Sequence, residues 1–245
     1  MAFDVRRSVR RFVRKSGFRR QIAPTFVDVM LSHQVDVVLD VGANDGDFGR
    51  EIRDEGYRGR IVSFEPNPAA FARLAAAIAD DPLWEAHQLG VGAEEGSLRL
   101  SVAKADVFSS FKPTTELWAN SPHSQEAESV EVAVIRLDRF LRERPDLLRR
   151  AYLKIDTQGF EMEVLRGAGD ALLQMEAVQA ELALIKTYQN EEDWLDVVTW
   201  MRGRGFEVAT AICNSAFPRR QIREFDFVFV QRPRDEPSAA SAPRE

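Results

Sequence analysis

Residues 37–47 read VVLDVGANDGD, an apolar run of strand length followed by a turn that contains two glycines. Gly42 and Gly46 permit a tight turn and the close approach of a ligand to the backbone. In open α/β sheets such a turn lies at the carboxyl end of a strand, where these sheets bind their ligands. The segment therefore predicts an α/β domain with a ligand crevice at this turn.

Three acids in the same segment, Asp40, Asp45 and Asp47, restrict which ligand the turn can hold. A dinucleotide brings a pyrophosphate, which binds bare N–H groups at a positive helix end, and the acids repel it. S-adenosylmethionine carries no phosphate and presents a cationic ammonium and a cationic sulfonium. Asp40 or Asp45 could hold the ammonium by a charge-assisted bond. The turn thus favours S-adenosylmethionine, with Gly42, Asn44 and Gly46 close to it.

Strand and helix patterns alternate from residue 36 onward, which predicts a mostly parallel sheet with helices on both faces. The predicted strands are residues 37–41, 61–64, 85–89, 151–155 and 177–184. The predicted helices are residues 48–55, 68–78, 137–142, 161–174 and 191–204, the fourth interrupted by Gly167 and Gly169.

Two further pairs of segments alternate apolar and polar residues. Residues 97–102 and 129–135 read as strands around a mobile polar loop at 105–128. Residues 206–212 and 225–231 read as a closing antiparallel pair.

The composition fits a soluble globular protein. The 245 residues are 44% hydrophobic and 29% charged, which suffices for one α/β domain with a full core. No run of about 18 apolar residues occurs, so no transmembrane helix is expected, nor is a secretory signal. Cys213, the single cysteine, fits a reducing cytosol and is predicted to be an inert core thiol.

The charge is distributed unevenly, since the net charge is −6 although residues 1–20 hold seven arginines and Lys15 against Asp4. The acidic remainder argues against binding nucleic acid. Residues 3–20 place four apolar side chains on one helical stripe, Val5, Val9, Phe12 and Val13. This pattern fits either an interfacial helix on anionic membrane or a helix packed on the domain.

Three regions follow from these patterns. Residues 1–35 are predicted to be a basic amphipathic helical arm, and residues 36–232 the ligand-binding domain. Residues 233–245 have the composition of a disordered tail. The oligomeric state stays open.

Glu65 ends the second predicted strand, 25 residues after Asp40. An acid at this place can accept hydrogen bonds from both ribose hydroxyls of a nucleoside. Pro66 and Asn67 form a rigid turn that could flank the adenine ring, and Gly90 follows the third strand. The alternative is that Glu65 only compensates the dipole of the helix that begins at Pro68.

Asp156 emerges at the end of the fourth parallel strand and is expected to face the same crevice. Glu161 opens the next helix, where an acid can also serve the helix dipole. Lys154 is unusual because it places a charge inside a strand that should be buried.

The sequence resembles the FkbM family of S-adenosylmethionine-dependent methyltransferases in VVLDVGANDGDFG, IVSFEPNP, LKIDTQGFEMEVLRGA, AELALIKTY and FDFVFVQR. The resemblance spans about residues 36–231 and omits the arm and the tail. It implies a class I methyltransferase fold, a Rossmann-like sandwich whose seven-stranded, mostly parallel sheet ends in an antiparallel strand. It also implies O-methylation of hydroxyls, on sugars of glycans or glycolipids or on natural products.

Methyl transfer to a hydroxyl requires in-line placement of the reacting atoms and calls for a general base. Asp156 is the first candidate base, with Glu161 and His123 as alternatives. Related class I enzymes for sugars and catechols hold a divalent metal between strand-end acids. Asp156 with Glu181 or Glu161 could hold Mg²⁺ in that way, although Glu181 lies inside its strand.

An acceptor pocket is predicted at the polar loop and after the fifth strand. Its candidate residues are Phe108, Ser109, Ser110, Phe111, Trp118 and Tyr188. The acceptor would be a small molecule, a glycan or a glycolipid. Two other functions stay open, an NAD-dependent oxidoreductase on the same fold and a non-catalytic nucleoside-binding module recruited to a membrane.

Overall fold

A computed structural model describes residues 24–116, 125–216 and 222–232 of the chain. The helices of this part are α1 Phe26–Ser32, α2 Asp47–Asp54, α3 Pro68–Ala77, α4 Leu137–Glu143, α5 Glu161–Ala168 and α6 Trp194–Gly203. The strands are β1 Val37–Val41, β2 Arg60–Phe64, β3 Trp84–His87, β4 Gly90–Val91, β5 Gly96–Ala103, β6 Glu126–Ile135, β7 Ala151–Ile155, β8 Met175–Ala183, β9 Phe206–Ala216 and β10 Ile222–Gln231.

Seven strands form one twisted sheet in the order β3-β2-β1-β7-β8-β10-β9. The pairs from β3 to β8 are parallel, whereas β10 runs antiparallel to both β8 and β9. The predicted mostly parallel sheet with a closing antiparallel pair is therefore confirmed. The strand order reverses between β1 and β7, which places a ligand crevice at their carboxyl ends.

Helices cover both faces of this sheet and enclose two apolar clusters. One cluster includes buried residues of α1, α2 and α3, and the other includes residues of α4, α5 and α6. Every residue of β1 and of β7 is buried, as expected for central strands covered on both faces. These two strands form the rigid base on which the crevice is built.

Local capping fixes where several helices begin. Asn67 accepts the N–H of Ala69 at 3.0 Å, and Pro68 opens α3, as helix N-termini favour. Thr25 and Asp28 form a capping box at α1. Because Asn67 follows Glu65 by two residues, the cap also fixes the loop that leaves β2.

The strands β4, β5 and β6 form a separate small sheet in the order β4-β6-β5. The two strands predicted around the polar loop are its β5 and β6, which pair antiparallel. A 3₁₀ turn at Asp106–Phe108 follows β5. Bridges between Ser101 and Ser110 and between Thr114 and Tyr188 tie the described part of the loop to the domain.

Some predicted bounds need correction. The third strand ends at His87 rather than at residue 89, and the helix after β7 ends at Ala168 and continues as a 3₁₀ turn, Gly169–Gln174. Gly169 has a φ of 51°, which explains the break. Cys213 is exposed, so the prediction of a core thiol is wrong.

The basic stretch at 3–20 and the tail at 233–245 lie outside the described residues. Residues 24–35, the end of the predicted arm, include α1, whose Val27, Val29 and Met30 are buried against the domain. No helix of the described part is long and apolar enough to cross a membrane.

Candidate active site

A cleft opens at the carboxyl ends of β1, β2 and β7, and the 3₁₀ turn after β5 lies against it. It contains about 560 Å³ of space between atoms, part of which is open solvent. Its lining is formed by Gly42, Asn44, Glu65, Pro66, Leu100, Asp106, Val107, Ser109, Phe111, Asp156, Thr157 and Gln158.

The glycine turn after β1 passes directly against the end of β7. Gly42 has a φ of 80°, and a Cβ added there would lie 1.8 Å from the carbonyl oxygen of Asp156. The N–H groups of Gly42 and Ala43 both donate to the carbonyl of Phe64, at 3.0 and 3.1 Å. Glycine is required at position 42 because no side chain fits between the two strand ends.

Glu65 ends β2 and links two loops at the edge of the cleft. Its Oε2 accepts the N–H of Asn44 at 2.7 Å, and its Oε1 accepts the N–H of Asn67 at 2.8 Å. Burial raises the pKa of Glu65 to about 7, although these two N–H groups favour the charged form. Each carboxylate oxygen keeps a second lone pair, so Glu65 can still accept a ligand hydroxyl.

Asp156 follows β7 and presents its carboxylate to the cleft. Its Oδ2 lies 3.4 Å from the ammonium of Lys154, and its Oδ1 accepts an N–H of Gln158 at 2.9 Å. Burial would raise the pKa of Asp156, but the charge of Lys154 and the hydrogen bonds outweigh it and lower the pKa. Asp156 is therefore ionised at neutral pH.

Glu181 contacts the same amide from β8. Gln158 donates its Nε2 to Oε2 of Glu181 at 2.9 Å as well as to Asp156. Burial and the nearby charge of Asp156 raise the pKa of Glu181 well above its usual value. The two acids therefore share the N–H groups of one amide, with Asp156 as the charged partner.

This arrangement does not fit the metal site predicted at Asp156 and Glu181. The Nε2 of Gln158 donates to both carboxyls, and an N–H donor cannot serve as a ligand of a cation. Among residues 24–116, 125–216 and 222–232, no group of three or more His, Cys, Asp or Glu residues could hold a metal ion. The predicted Mg²⁺ site therefore finds no support.

Glu161 organises the loop between β7 and α5 instead of facing the cleft. Its Oε1 accepts the N–H groups of Thr157 and Gly159, at 2.9 and 3.1 Å, and the hydroxyl of Thr157. Burial raises the pKa of Glu161 to about 7. Its side chain is absent from the lining. Glu161 positions the loop through these bonds, and its predicted catalytic role stays a prediction.

Residues from the polar loop after β5, together with Tyr188, cover the loop between β7 and α5. Ser110 donates to the carbonyl of Gln158 at 2.6 Å, and the Tyr188 hydroxyl lies 3.0 Å from Oε1 of the same residue. Phe111 packs against Phe160, with ring centroids 5.0 Å apart. Gln158 thus connects the strand-end acids to the polar loop.

Several residues predicted to bind the cofactor lie outside the cleft. Asp40 is fully buried and Asp45 pairs with Arg50 at 3.1 Å. A Cβ on Gly46 would meet Leu74 and Trp84, and one on Gly90 would meet Phe111 and Val134. Asn67 caps α3. None of these five residues lines the cleft, and their predicted contact with the cofactor stays a prediction. Gly42, Asn44, Glu65 and Pro66 do line the cleft.

The predicted acceptor residues divide similarly. Ser109 and Phe111 line the cleft, whereas Ser110 and Tyr188 are buried and bond to Gln158. Phe108 is half-buried and accepts from the Tyr188 hydroxyl through its carbonyl. The last three support the loop through these bonds, and their predicted contact with the acceptor stays a prediction. His123 and Trp118 lie outside the described residues.

The sequence-based interpretation missed five residues of the cleft. Leu100 lies on β5, Asp106 and Val107 come from the 3₁₀ turn, and Thr157 and Gln158 come from the loop after β7. Gln158 has a φ of 55° and is followed by Gly159 with a φ of 91°. The sequence Thr-Gln-Gly directly after a strand-end acid was the available signal for this sharp turn.

Comparisons with known proteins found similar sequences and folds. The family model described as the Methyltransferase FkbM domain matches residues 40–208. A protein named Methyltransferase 1 from Beauveria bassiana is 29% identical, covering 70% of this chain and 72% of its own. The 31-O-demethyl-FK506 methyltransferase FkbM of Streptomyces tacrolimicus is 31% identical, covering 71% of this chain and 73% of its own.

Among solved structures, the crystal structure of a methyltransferase FkbM from Methylobacillus flagellatus KT matches with a TM-score of 0.50 and 15% identity. The match covers 86% of this chain and 46% of that chain, so the chain described here spans less than half of that protein's length. At this identity the likeness concerns the fold alone, and it agrees with the class I methyltransferase sheet described above.

Proposed function

The chain belongs to the FkbM methyltransferase family, and from this premise we propose that it transfers a methyl group from S-adenosylmethionine to a hydroxyl. The observation that carries the proposal is the carboxylate of Asp156, held at the end of β7 and open to the cleft beside Gly42. One face of that cleft would hold the donor and the other the acceptor.

The donor side suits a nucleoside that bears positive charge. Glu65 offers free lone pairs for ribose hydroxyls, and Gly42 leaves backbone close to the ligand. Asp156, whose pKa is lowered, brings a negative charge to the cleft, and this charge favours a cation. When bound, S-adenosylmethionine would supply a methyl group on a cationic sulfonium.

Asp156 would act on the acceptor. Its carboxylate would accept a hydrogen bond from the hydroxyl, orient the oxygen towards the methyl carbon, and take up the hydroxyl proton as the new bond forms. The charge of Lys154 lowers the pKa of Asp156, which makes it a weak base. Orientation of the acceptor would therefore contribute more than deprotonation before the transfer.

A hydroxyl acceptor is supported by one relative's name, which gives 31-O-demethyl-FK506 as its substrate. We propose a neutral hydroxylated acceptor, such as the sugar of a glycan or glycolipid or a natural product. Leu100, Val107 and Phe111 give the cleft an apolar wall against which a sugar ring or an apolar scaffold could pack.

Binding of the donor is tested by thermal unfolding with added ligand, since a ligand that binds the folded state raises the midpoint. We expect S-adenosylmethionine to raise the midpoint and NADH to leave it unchanged. Glu65→Gln should reduce the shift. Glu191→Gln is the matched control, because Glu191 also accepts two backbone N–H groups, from Thr187 and Tyr188, but is absent from the cleft lining.

Methyl transfer is tested by incubating methyl-labelled S-adenosylmethionine with glycan, glycolipid and small-molecule fractions. We expect label in a hydroxylated acceptor, as an ether that survives mild base, with and without a metal chelator. A shift with NADH only, or label confined to nitrogen atoms, would contradict the proposal.

A further inference from the structure

A row of polar side chains crosses the middle of the sheet beneath the cleft. Ser63, Asp40, Lys154 and Gln179 lie at paired positions of β2, β1, β7 and β8, and all four are buried. The cost of placing a charge at this depth is large unless it is paired. The row therefore needs a reason beyond the stability of the sheet.

We propose that Lys154 is a positioning residue that joins the glycine turn to the acceptor side of the cleft. Its Nζ lies 3.5 Å from Oδ1 of Asp40, 3.5 Å from the carbonyl of Gly42 and 3.4 Å from Oδ2 of Asp156. One ammonium thus contacts the strand below the turn, the turn itself and the cleft carboxylate.

The ammonium of Lys154 is enclosed by other side chains and shielded from water. The residue is 6% exposed, and the ring of Phe48 lies 5.4 Å from its Nζ. On the other side, Oδ1 of Asp40 has no hydrogen-bond partner besides this ion pair. Oδ2 of Asp40 accepts the Ser63 hydroxyl at 3.2 Å, which in turn accepts the Trp84 indole at 3.0 Å.

The carboxyl groups around the ammonium come from four strands. Asp40 lies on β1, Asp156 follows β7, Glu181 lies on β8 and Asp226 lies on β10. Burial raises the pKa of Asp40 and of Glu181, whereas the pKa of Asp156 is lowered. Burial opposes the charge on Lys154, but Asp156 and Asp40 outweigh it and raise the pKa of the lysine. In return, Lys154 keeps Asp156 ionised against burial, whereas the neutral Gln158 amide alone could not supply a positive charge.

The effect of Lys154 on methyl transfer rests on the proposed function, because Asp156 is placed there as the group that orients the acceptor. The effect of Lys154 on the charge of Asp156 does not rest on the proposed function. Lys154 should lower the proton affinity of Asp156 in the protein without donor or acceptor, and this can be measured even if no acceptor is found.

The test is the titration of the Asp156 carboxyl carbon by NMR in ligand-free protein labelled at aspartate, with Asp156→Asn to assign the signal. In Lys154→Met/Asp40→Asn, which removes the buried pair as a unit, we expect the Asp156 midpoint to rise by about one unit or more. Lys112→Met is the control, because Lys112 also forms a largely buried ion pair, with Glu163 at 2.9 Å. Its variant should leave the Asp156 midpoint unchanged.

A second variant covers the case in which the double variant does not fold. Lys154→Gln removes the charge but keeps hydrogen-bonding groups beside Asp40 and Asp156, and it should also raise the Asp156 midpoint by about one unit. An unchanged Asp156 midpoint in either folded variant would overturn the proposal. Either outcome leaves the donor-binding test of the proposed function intact.

Discussion

Glu65 follows β2, Glu161 opens the helix after β7, and the two carboxylates have much in common. Each is buried, each accepts two backbone N–H groups, and burial raises the pKa of each to about 7. They differ in that Glu65 also borders the cleft and Glu161 does not. Asp156 is the opposite case, since its oxygens are held by side chains and its pKa is lowered.

The difference separates acids that shape a loop from acids that can act on a ligand. A glutamate whose oxygens accept the N–H groups of its own loop fixes the backbone, so its removal should lower the free energy of unfolding. A carboxylate held by a lysine and an amide keeps its charge available to the cleft, so its removal should lower the rate of methyl transfer. Three predictions test this division, beginning with the largest effect.

Asp156→Asn should reduce the rate of methyl transfer by about a hundredfold to ten-thousandfold, because the group that orients the hydroxyl and takes its proton is lost. The free energy of unfolding at pH 7 should fall by less than the rate loss expressed as a free energy, about 3–5 kcal/mol, because Asp40 still pairs with Lys154. Steady-state kinetics and urea unfolding on the same preparation measure both. Full turnover of an established acceptor by Asp156→Asn would contradict the role assigned to this carboxylate.

Glu161→Ala should lower the free energy of unfolding by about 4 kcal/mol, because two buried N–H groups lose their acceptor at about 1–3 kcal/mol each. Glu161→Gln is the matched variant, since its amide oxygen can still accept both bonds. We expect the Gln variant to stay within about 1 kcal/mol of the wild type in urea unfolding at pH 7. Equal losses in both variants would mean that the charge, not the acceptor, holds the loop.

The pH dependence of stability should have opposite signs for the two kinds of acid. Glu65 has a folded pKa of about 7 against a usual 4.5, so it favours the folded state at low pH. That contribution is lost as pH rises from 4.5 through 7. Asp156 has a lowered pKa, so its contribution is present above its usual 3.8 and is lost as pH falls below that value.

Unfolding by urea at a series of pH values measures this dependence. Glu65→Gln should remove up to about 3 kcal/mol of the decline between pH 4.5 and 7, at about 1.4 kcal/mol per unit of pKa. Asp156→Asn should leave that decline and remove part of the loss at acidic pH. If the free energy of unfolding depended on pH in the same way in the wild type and in both variants, the predicted difference between Glu65 and Asp156 would be wrong.

The order of the elements could be predicted because it follows from local patterns. The alternation of apolar strands with helical segments gave the parallel sheet, and the last two segments gave the antiparallel pair that β9 and β10 form. The strand-end positions of Gly42, Glu65 and Asp156 followed from the same alternation. All three line one cleft, as the convergence of parallel strand ends requires.

The direction of side chains could not be predicted in the same way. Asp40 and Asp45 flank the glycine turn, a position that predicts ligand contact, but Asp40 is buried, Asp45 pairs with Arg50, and neither lines the cleft. Tyr188 was expected at the acceptor, whereas its hydroxyl is committed to Gln158 and Phe108. These outcomes depend on elements far apart in the chain, which no local pattern specifies.

The sequence by itself determined the fold, the family and the three strand ends that line the cleft, because strand period and glycine turns are local properties. The tertiary structure decided what each acid does. The same functional group, a carboxyl, ends the side chains of Glu65, Glu161 and Asp156. Their roles differ because different donors surround each carboxyl and because water reaches them to different extents. Those surroundings come from β1, β2, β7 and β8 together, and they exist only once the sheet has formed.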